Sequence, residues 1–439
     1  MRVIVILFLG VAVIALVLKY FPASETGAEN AILAAEGPVQ EKAPTSRFLP
    51  PPASVTEQAP REIDREKPRE TLKPAPNTTK GGLKSAANLR DVPELAGALL
   101  HLDPKTFLTF LESADLGLSE ERKKLLLAFS LAMTGKPTEA VNLAPDLEPG
   151  NGIKESEFAL LKSAVQGEWT GARAASSSRT GSVEFAMELA LLAREGKRLL
   201  DRREWKPAAE ALSTVLLADI RAPWTSSWDF SRTWGARLNA AQAHHRWNPK
   251  GSWDAVDEKV NPGDSLSTIR ARVVKANAGL LLCTGLIDRV NGIGDRYLQA
   301  GETLRIPMEL VSTVVDLEAR HAFFLFGDEV AAVWPVAIGA PGNDTPEGVY
   351  VVGELIPEPP WFRPGEPMIP FGDPGNLLGT RWVGWNDEDG SATHYGFHGT
   401  WEPETIGQAV SDGCIRLRNA DVEDLYQIIP RGTAVTVQL

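Results

Sequence analysis

The chain has 439 residues, 43% of them hydrophobic, which is enough to build about two to four domains with cores of their own. A formal net charge of −12 with no basic cluster argues against nucleic acid as a partner. The 6 His and 2 Cys are too few and too scattered for a zinc site or a disulfide framework, and no Gly-rich phosphate loop occurs, so no metal and no cofactor is expected.

From the N-terminus, Val3 to Leu18 is an uncharged apolar run flanked by Arg2 and Lys19, close to the length a helix needs to cross a bilayer. The run reads as a signal peptide or a signal anchor; no small-x-small cleavage site comes next at Tyr20-Phe21-Pro22-Ala23-Ser24, which favours residues 1–21 as an uncleaved anchor, and either way the rest is exported. Residues 22–85 turn to Pro, Glu, Lys, Thr and Ala, as in Leu49-Pro50-Pro51-Pro52 and Lys73-Pro74-Ala75-Pro76, and read as a disordered linker. A flexible chain of roughly 60 residues reaches about 45 Å, enough to lift the folded domains off a membrane.

Residues 86–248 carry helical periodicity, clearest in Glu121-Arg122-Lys123-Lys124-Leu125-Leu126-Leu127-Ala128-Phe129. Lys136-Pro137-Thr138-Glu139-Ala140 and Lys206-Pro207-Ala208-Ala209-Glu210-Ala211 lie 70 residues apart (206 − 136), about two periods of a tetratricopeptide-type hairpin. This spacing predicts a short degenerate helical repeat, either a protein-binding surface or a spacer. Trp224, Trp228 and Trp234 are expected to serve as core or capping residues.

The next landmarks are Val260-Asn261-Pro262-Gly263-Asp264-Ser265-Leu266, Val290-Asn291-Gly292 and Gly301-Glu302-x-Leu304-Arg305-Ile306-Pro307. On these, residues 256–308 resemble a LysM domain. It implies a small βααβ fold that binds glycans containing N-acetylglucosamine, which would concentrate the chain on its substrate. Cys283, in the apolar run Gly279-Leu280-Leu281-Leu282-Cys283, reads as a small core residue.

Beyond residue 311 the pattern becomes mainly β. Thr313-Val314-Val315-Asp316-Leu317, Ala322 to Phe326 and Val330 to Val336 read as successive strands, with turns at Gly327-Asp328 and near Gly339. Glu354 to Asn376, rich in Pro and holding Trp361 and Phe362, reads as a flap, and Asp421 to Ile429 as a closing helix capped by Asn419. The chemistry is carried by His398 and Cys414, 16 residues apart (414 − 398). A thiol needs a neighbouring base to become a nucleophile, and His is the usual one. Gly413 before the Cys permits a tight turn whose amides can face an oxyanion. His394 shares a strand face with His398, as a partly exposed residue able to line the same side.

Val315-Asp316-Leu317, Ala340, Thr345-Pro346-Glu347-Gly348, Leu378-Gly379, His398-Gly399-Thr400, Ile406-Gly407, Ser411-x-Gly413-Cys414-Ile415-Arg416-Leu417 and Gly432-Thr433-x-Val435 follow one another in order. On these landmarks residues 311–439 resemble the YkuD-type L,D-transpeptidase catalytic domain of bacterial cell-wall enzymes. The family most often has a second His where this chain has Asp412. A carboxylate there raises the thiol pKa unless it is solvated or paired with a cation such as Arg416. The resemblance implies that Cys414 is the nucleophile, His398 the general base and acid, and the Gly399 carbonyl the group orienting the imidazole. Asp412, Gly413 and Ser411 then belong to the oxyanion and substrate-binding turn, and Arg416 binds a substrate carboxylate or braces the loop. It also implies peptidoglycan stem tetrapeptides as substrate, a thioester intermediate and 3→3 cross-links. An L,D-carboxypeptidase or endopeptidase on the same scaffold and a catalytically silent glycan-binding tether remain the other readings. The expected whole is a multidomain protein of the bacterial envelope: anchor, helical region, LysM unit and a mainly-β catalytic domain facing the periplasm or wall.

Overall fold

The computed structural model describes residues 98–99, 104–113, 118–143, 145–150, 152–167, 183–221, 228–362 and 367–439. The anchor expected at 1–21, the linker expected at 22–85 and Trp224 lie outside the described residues. Among the described residues no helix is long and apolar enough to cross a membrane. All of them belong to one compact unit, Gly81–Leu439.

The N-terminal part of that unit is helical: α1 (Pro104–Ser113), α2 (Glu120–Met133), α3 (Pro137–Leu143), α4 (Glu155–Gln166), α5 (Val183–Asp201), α6 (Trp205–Arg221) and α7 (Trp228–Gln242). Local chemistry sets several boundaries. Ser119 accepts the Arg122 amide at 3.3 Å to cap α2, whose first turn carries Glu120 and Glu121 against the helix dipole. In both Lys-Pro segments the Pro falls in a first turn, of α3 and α6, where a missing N–H costs nothing. Trp234 is buried, with its ring centroid 6.4 Å from that of Phe230.

Next in the chain is a βααβ unit: β1 (Val256–Lys259), α8 (Leu266–Ala276), α9 (Thr284–Asn291) and β2 (Thr303–Ile306). The strands pair antiparallel from Val256↔Ile306 to Lys259↔Thr303. Asn291 locks α9 to β2, since its Nδ2 donates to the Arg305 carbonyl and its Oδ1 accepts the Arg305 amide, each at 2.8 Å. Cys283, expected as core, is half-buried and caps α9: Sγ accepts the Leu286 amide at 3.4 Å and donates to the Gln427 carbonyl at 3.5 Å. The apolar run before it ends where α9 starts, so the thiol meets free helix amides instead of side chains.

The C-terminal part is a mixed, mainly antiparallel sheet of eight strands in the order β11-β9-β8-β7-β12-β3-β4-β5. Its members are β3 (Val311–Asp316), β4 (His321–Phe326), β5 (Glu329–Pro335), β7 (Gly348–Pro357), β8 (Arg381–Asn386), β9 (Ala392–His398), β11 (Ile415–Arg416) and β12 (Ala434–Gln438). Two short parallel strands, β6 (Ile338–Gly339) and β10 (Ala409–Ser411), lie beside it, and α10 (Asn419–Ile428) precedes β12. The excursion expected from Glu354 is shorter than its sequence suggests, because β7 runs to Pro357, which pairs with Arg381 of β8.

Strand β4 is buried on both faces, which explains its unbroken apolar run. Phe323 and Leu325 of β4, with Val330 and Val333 of β5, join the core of the helices, while Phe324, Phe326 and Trp334 join a second core shared with the βααβ unit and α10. The outer edge of β5 is occupied by helix side chains. Asn239 donates to the Val333 carbonyl at 2.7 Å and accepts its amide at 3.0 Å. Gln242 Nε2 donates to the Val330 carbonyl at 2.9 Å, and Ser213 Oγ accepts the Val330 amide at 2.8 Å.

Candidate active site

Strand pairing brings the two chemical residues together. His398 ends β9, opposite Trp382 of β8 and beside Arg416 of β11, and Ile415 lies beside Phe397. Continued back one residue, that register sets Cys414 beside Gly396, two residues along from His398 on the same side of the ladder.

The turn that leads into Cys414 is built by Ser411 and Gly413. Ser411 is 1% exposed; its Oγ accepts the Gly413 amide at 3.2 Å and donates to the Cys414 carbonyl at 2.6 Å. Gly413 has φ +105, and a Cβ on it would lie 2.8 Å from Tyr395 Cε1, so both conformation and space require glycine. The amides of Asp412 and Cys414 donate to no group among the described residues, whereas that of Gly413 is already engaged.

Asp412 is exposed and does not pair with Arg416. Its Oδ1 accepts from Asn343 Nδ2 at 3.1 Å. Asn343 is itself held by its amide on the Ala340 carbonyl at 2.8 Å, and Ala340 donates to the Ser411 carbonyl at 2.8 Å. Arg416, with only 11% of its side chain exposed, lies 3.6 Å from Glu402.

His398 is 4% exposed and its Nδ1–H donates to the Gly399 carbonyl at 2.7 Å, which fixes the tautomer with Nε2 as acceptor. Burial lowers its pKa to about 4, ahead of the opposing Gly399 hydrogen bond and the repulsion of Arg416. Burial likewise pushes the Cys414 thiol up to about 11; the Gly396 amide and Arg416 pull it down, and Asp412, the weakest of these influences, pushes it up. The resting pair is therefore a neutral thiol and a neutral imidazole. Cys414 Sγ donates to the His394 carbonyl at 3.4 Å and makes no hydrogen bond to His398 among the described residues. Rotation of the thiol away from that carbonyl is the motion that would engage the base, as is common before substrate binds. The His394 side chain is exposed; its backbone is what meets the thiol.

Gly399 and Gly379 close around Asn419. A Cβ on either would come within 2.1 Å and 2.3 Å of Asn419 Oδ1, which accepts the Thr380 amide at 3.2 Å. The two separate sequence landmarks Leu378-Gly379 and His398-Gly399 are thus one contact. Asn419 was expected to cap α10; the helix starts at that residue with Arg418 as cap, and the Asn side chain serves the His turn instead. Next to it, Trp401 Nε1 donates to the Asn376 carbonyl at 3.1 Å, tying the end of the Pro-rich excursion to the His motif. The contributions of Asn343, Tyr395, Gly396 and Trp382, whose ring stacks on His398 with centroids 6.2 Å apart, have no local signal in the sequence.

Residues 311–437 match the YkuD family model, the L,D-transpeptidase catalytic domain. The Bacillus subtilis protein named "Putative L,D-transpeptidase YqjB" is 36% identical over 124 residues, which span 28% of this chain and 69% of that protein. "Putative L,D-transpeptidase YkuD" of Bacillus licheniformis is 30% identical over 185 residues, spanning 41% of this chain and 96% of that protein. This chain belongs to the L,D-transpeptidase family. Among solved structures, the catalytic domain of an E. faecium L,D-transpeptidase aligns at 23% identity over 30% of this chain and 98% of that one, with a TM-score of 0.24. The L,D-transpeptidase match covers the sheet, the Cys–His pair and α10; it starts after the βααβ unit and the helices.

Proposed function

We propose that the protein is a peptidoglycan L,D-transpeptidase that forms 3→3 cross-links through a thioester on Cys414. The observation that carries this reading is the β9–β11 register, which aligns Cys414 and His398 on one face within the family-matched residues. In the first half-reaction, His398 Nε2 takes the thiol proton as Sγ attacks the carbonyl of the third stem residue. The unengaged amides of Cys414 and Asp412 stabilise the oxyanion, and Gly399 holds the imidazole in register. The imidazolium then gives its proton to the departing D-Ala amine as the C–N bond breaks. In the second half-reaction an amine from another stem adds to the thioester, the C–S bond breaks, and the sulfur recovers a proton through His398. Water in place of the amine would give carboxypeptidase activity.

An exported location, with a wall-facing site, belongs to the same proposal and is supported by the apolar run at Val3 to Leu18. Glycan binding by residues 256–308 is supported by the LysM-like sequence and by the βααβ order and β1–β2 pairing found there. Mass analysis of muropeptides after incubation with purified tetrapeptide substrate tests the reaction. Wild type should yield cross-linked dimer and Cys414→Ala none; untouched substrate with wild type refutes the reading, and tripeptide without dimer converts it to hydrolysis.

A further inference from the structure

The charge next to the nucleophile is unusual. Asp412 lies two residues before Cys414, is exposed, and is the only charged side chain in the turn Ser411-Asp412-Gly413-Cys414. Coulomb's law makes such a carboxylate a liability to a thiolate, yet no cation pairs with it among the described residues, and Arg416 is turned to Glu402. It is instead held in place. Asn343 Nδ2 contacts one oxygen at 3.1 Å through a rigid support: Ala340 bonds to Ser411 at 2.8 Å, and the Gly339 amide donates to Thr345 Oγ1 at 3.0 Å. The second carboxylate oxygen accepts nothing among the described residues. A neutral amide fixes the carboxylate without discharging it, and the carboxylate is close enough to Cys414 to push its thiol up, as the smallest of the influences on it.

We propose that Asp412 is the specificity carboxylate for the incoming amine and biases the acyl-enzyme toward aminolysis over hydrolysis. This rests on the thioester reading above. When R–NH2 adds to the thioester carbonyl, nitrogen uses its lone pair to form the new C–N bond and becomes a positively charged R–NH2⁺ centre, while the oxyanion forms against the backbone amides of Asp412 and Cys414. The carboxylate stabilises that developing charge and accepts an N–H hydrogen bond that orients the lone pair. The intermediate then loses one N–H proton to His398 and expels sulfur with the C–S bonding electrons; the proton passes to sulfur, restoring the thiol. Water attacking the same thioester transfers its proton directly to His398 as it adds, and gains less from a fixed anion. The neutral resting Cys414–His398 pair tolerates Asp412 because no thiolate has to persist beside it.

The test is the partition of the acyl-enzyme. Full-length wild type, Asp412→Asn, Asp412→Glu and Asn343→Ala are incubated with tetrapeptide substrate, and D-Ala release, dimer and tripeptide are each quantified. D-Ala release reports acylation, so its absence in wild type fails the parent reading instead of this one. The dimer-to-tripeptide ratio reports partition independently of the acylation rate. Asp412→Asn, isosteric and on the surface, should lower that ratio about tenfold or more, Asp412→Glu should restore part of it, and Asn343→Ala should lower it several-fold. An unchanged ratio in Asp412→Asn, or equal ratios in the Asn and Glu variants, overturns the proposal. A KM for added acceptor amine that does not rise in Asp412→Asn also overturns it.

Discussion

Iodoacetamide should alkylate Cys414 far more slowly at pH 7 than it alkylates a free cysteine. A thiol at about 11 carries roughly one part in ten thousand thiolate at pH 7, against a few per cent for a free thiol near 8.5, a deficit of about 300-fold. The more basic thiolate is intrinsically more nucleophilic, by roughly tenfold over that pKa gap, so the net slowing is about 20- to 30-fold. The assay is mass measurement of the Cys414 and Cys283 peptides of the full chain over pH 6 to 10, after short timed exposures. Cys283, with its thiol also raised to about 11 by burial, is the internal reference. Its rate and that of Cys414 should each climb close to tenfold per pH unit, with no plateau below pH 9. His398→Ala should leave the Cys414 profile nearly unchanged, since a neutral imidazole stabilises no thiolate. A Cys414 plateau below pH 8 that disappears in His398→Ala would reveal a thiolate–imidazolium pair and refute the neutral resting state.

Acid should destabilise the fold well before the carboxylates titrate. His398 and His321 are buried with pKa values lowered to about 4 by burial, against 6.5 when unfolded, so the unfolded chain binds more protons between those values. Their stability is complete above about pH 6.5 and is lost as pH falls to about 4, up to roughly 3 kcal/mol each. Asp219, whose carboxyl is raised chiefly by burial and next by Asp316, works in the opposite sense and offsets part of the loss. Urea midpoints at pH 7 and pH 4.5 should differ clearly in favour of pH 7; equal midpoints contradict the assignment. At the sheet edge, Asn239→Ala removes both side-chain partners of Val333 and should cost about 1–3 kcal/mol, read as a lower urea midpoint with an unchanged slope. A loss under about 0.5 kcal/mol would mean that the helices contribute no hydrogen bonding that water cannot replace.

The sequence was legible where chemistry is local. The β4–β5 hairpin around Gly327-Asp328 and the βααβ order could each be read from short segments, as could the segments that set Cys414 and His398 on one face. Strand β3 begins two residues earlier than its pattern suggests, at Val311, because its pairing with Phe326 decides its start and no turn residue marks it. What escaped depends on distant partners. Asp412 is held by Asn343, 69 residues away, while its neighbour Arg416 offers the more obvious charge partner. Asn419 has the composition of a cap, but the close approach of Gly379 and Gly399 gives its oxygen a better use. The neutral ionisation state of the pair comes from burial, which no spacing between two residues reveals.

The amide and hydroxyl groups that Asn239, Gln242 and Ser213 lend to β5 substitute for the strand that would otherwise lie outside it. A fragment trimmed to the family boundary at residue 311 would lose them all and present an unpaired ladder, inviting a second copy to complete it. The catalytic module here is therefore not a portable cassette. Whatever else the helices bind, they act as a permanent splint for the sheet, and grafting this domain onto another carrier would require either bringing them along or blunting that edge by design.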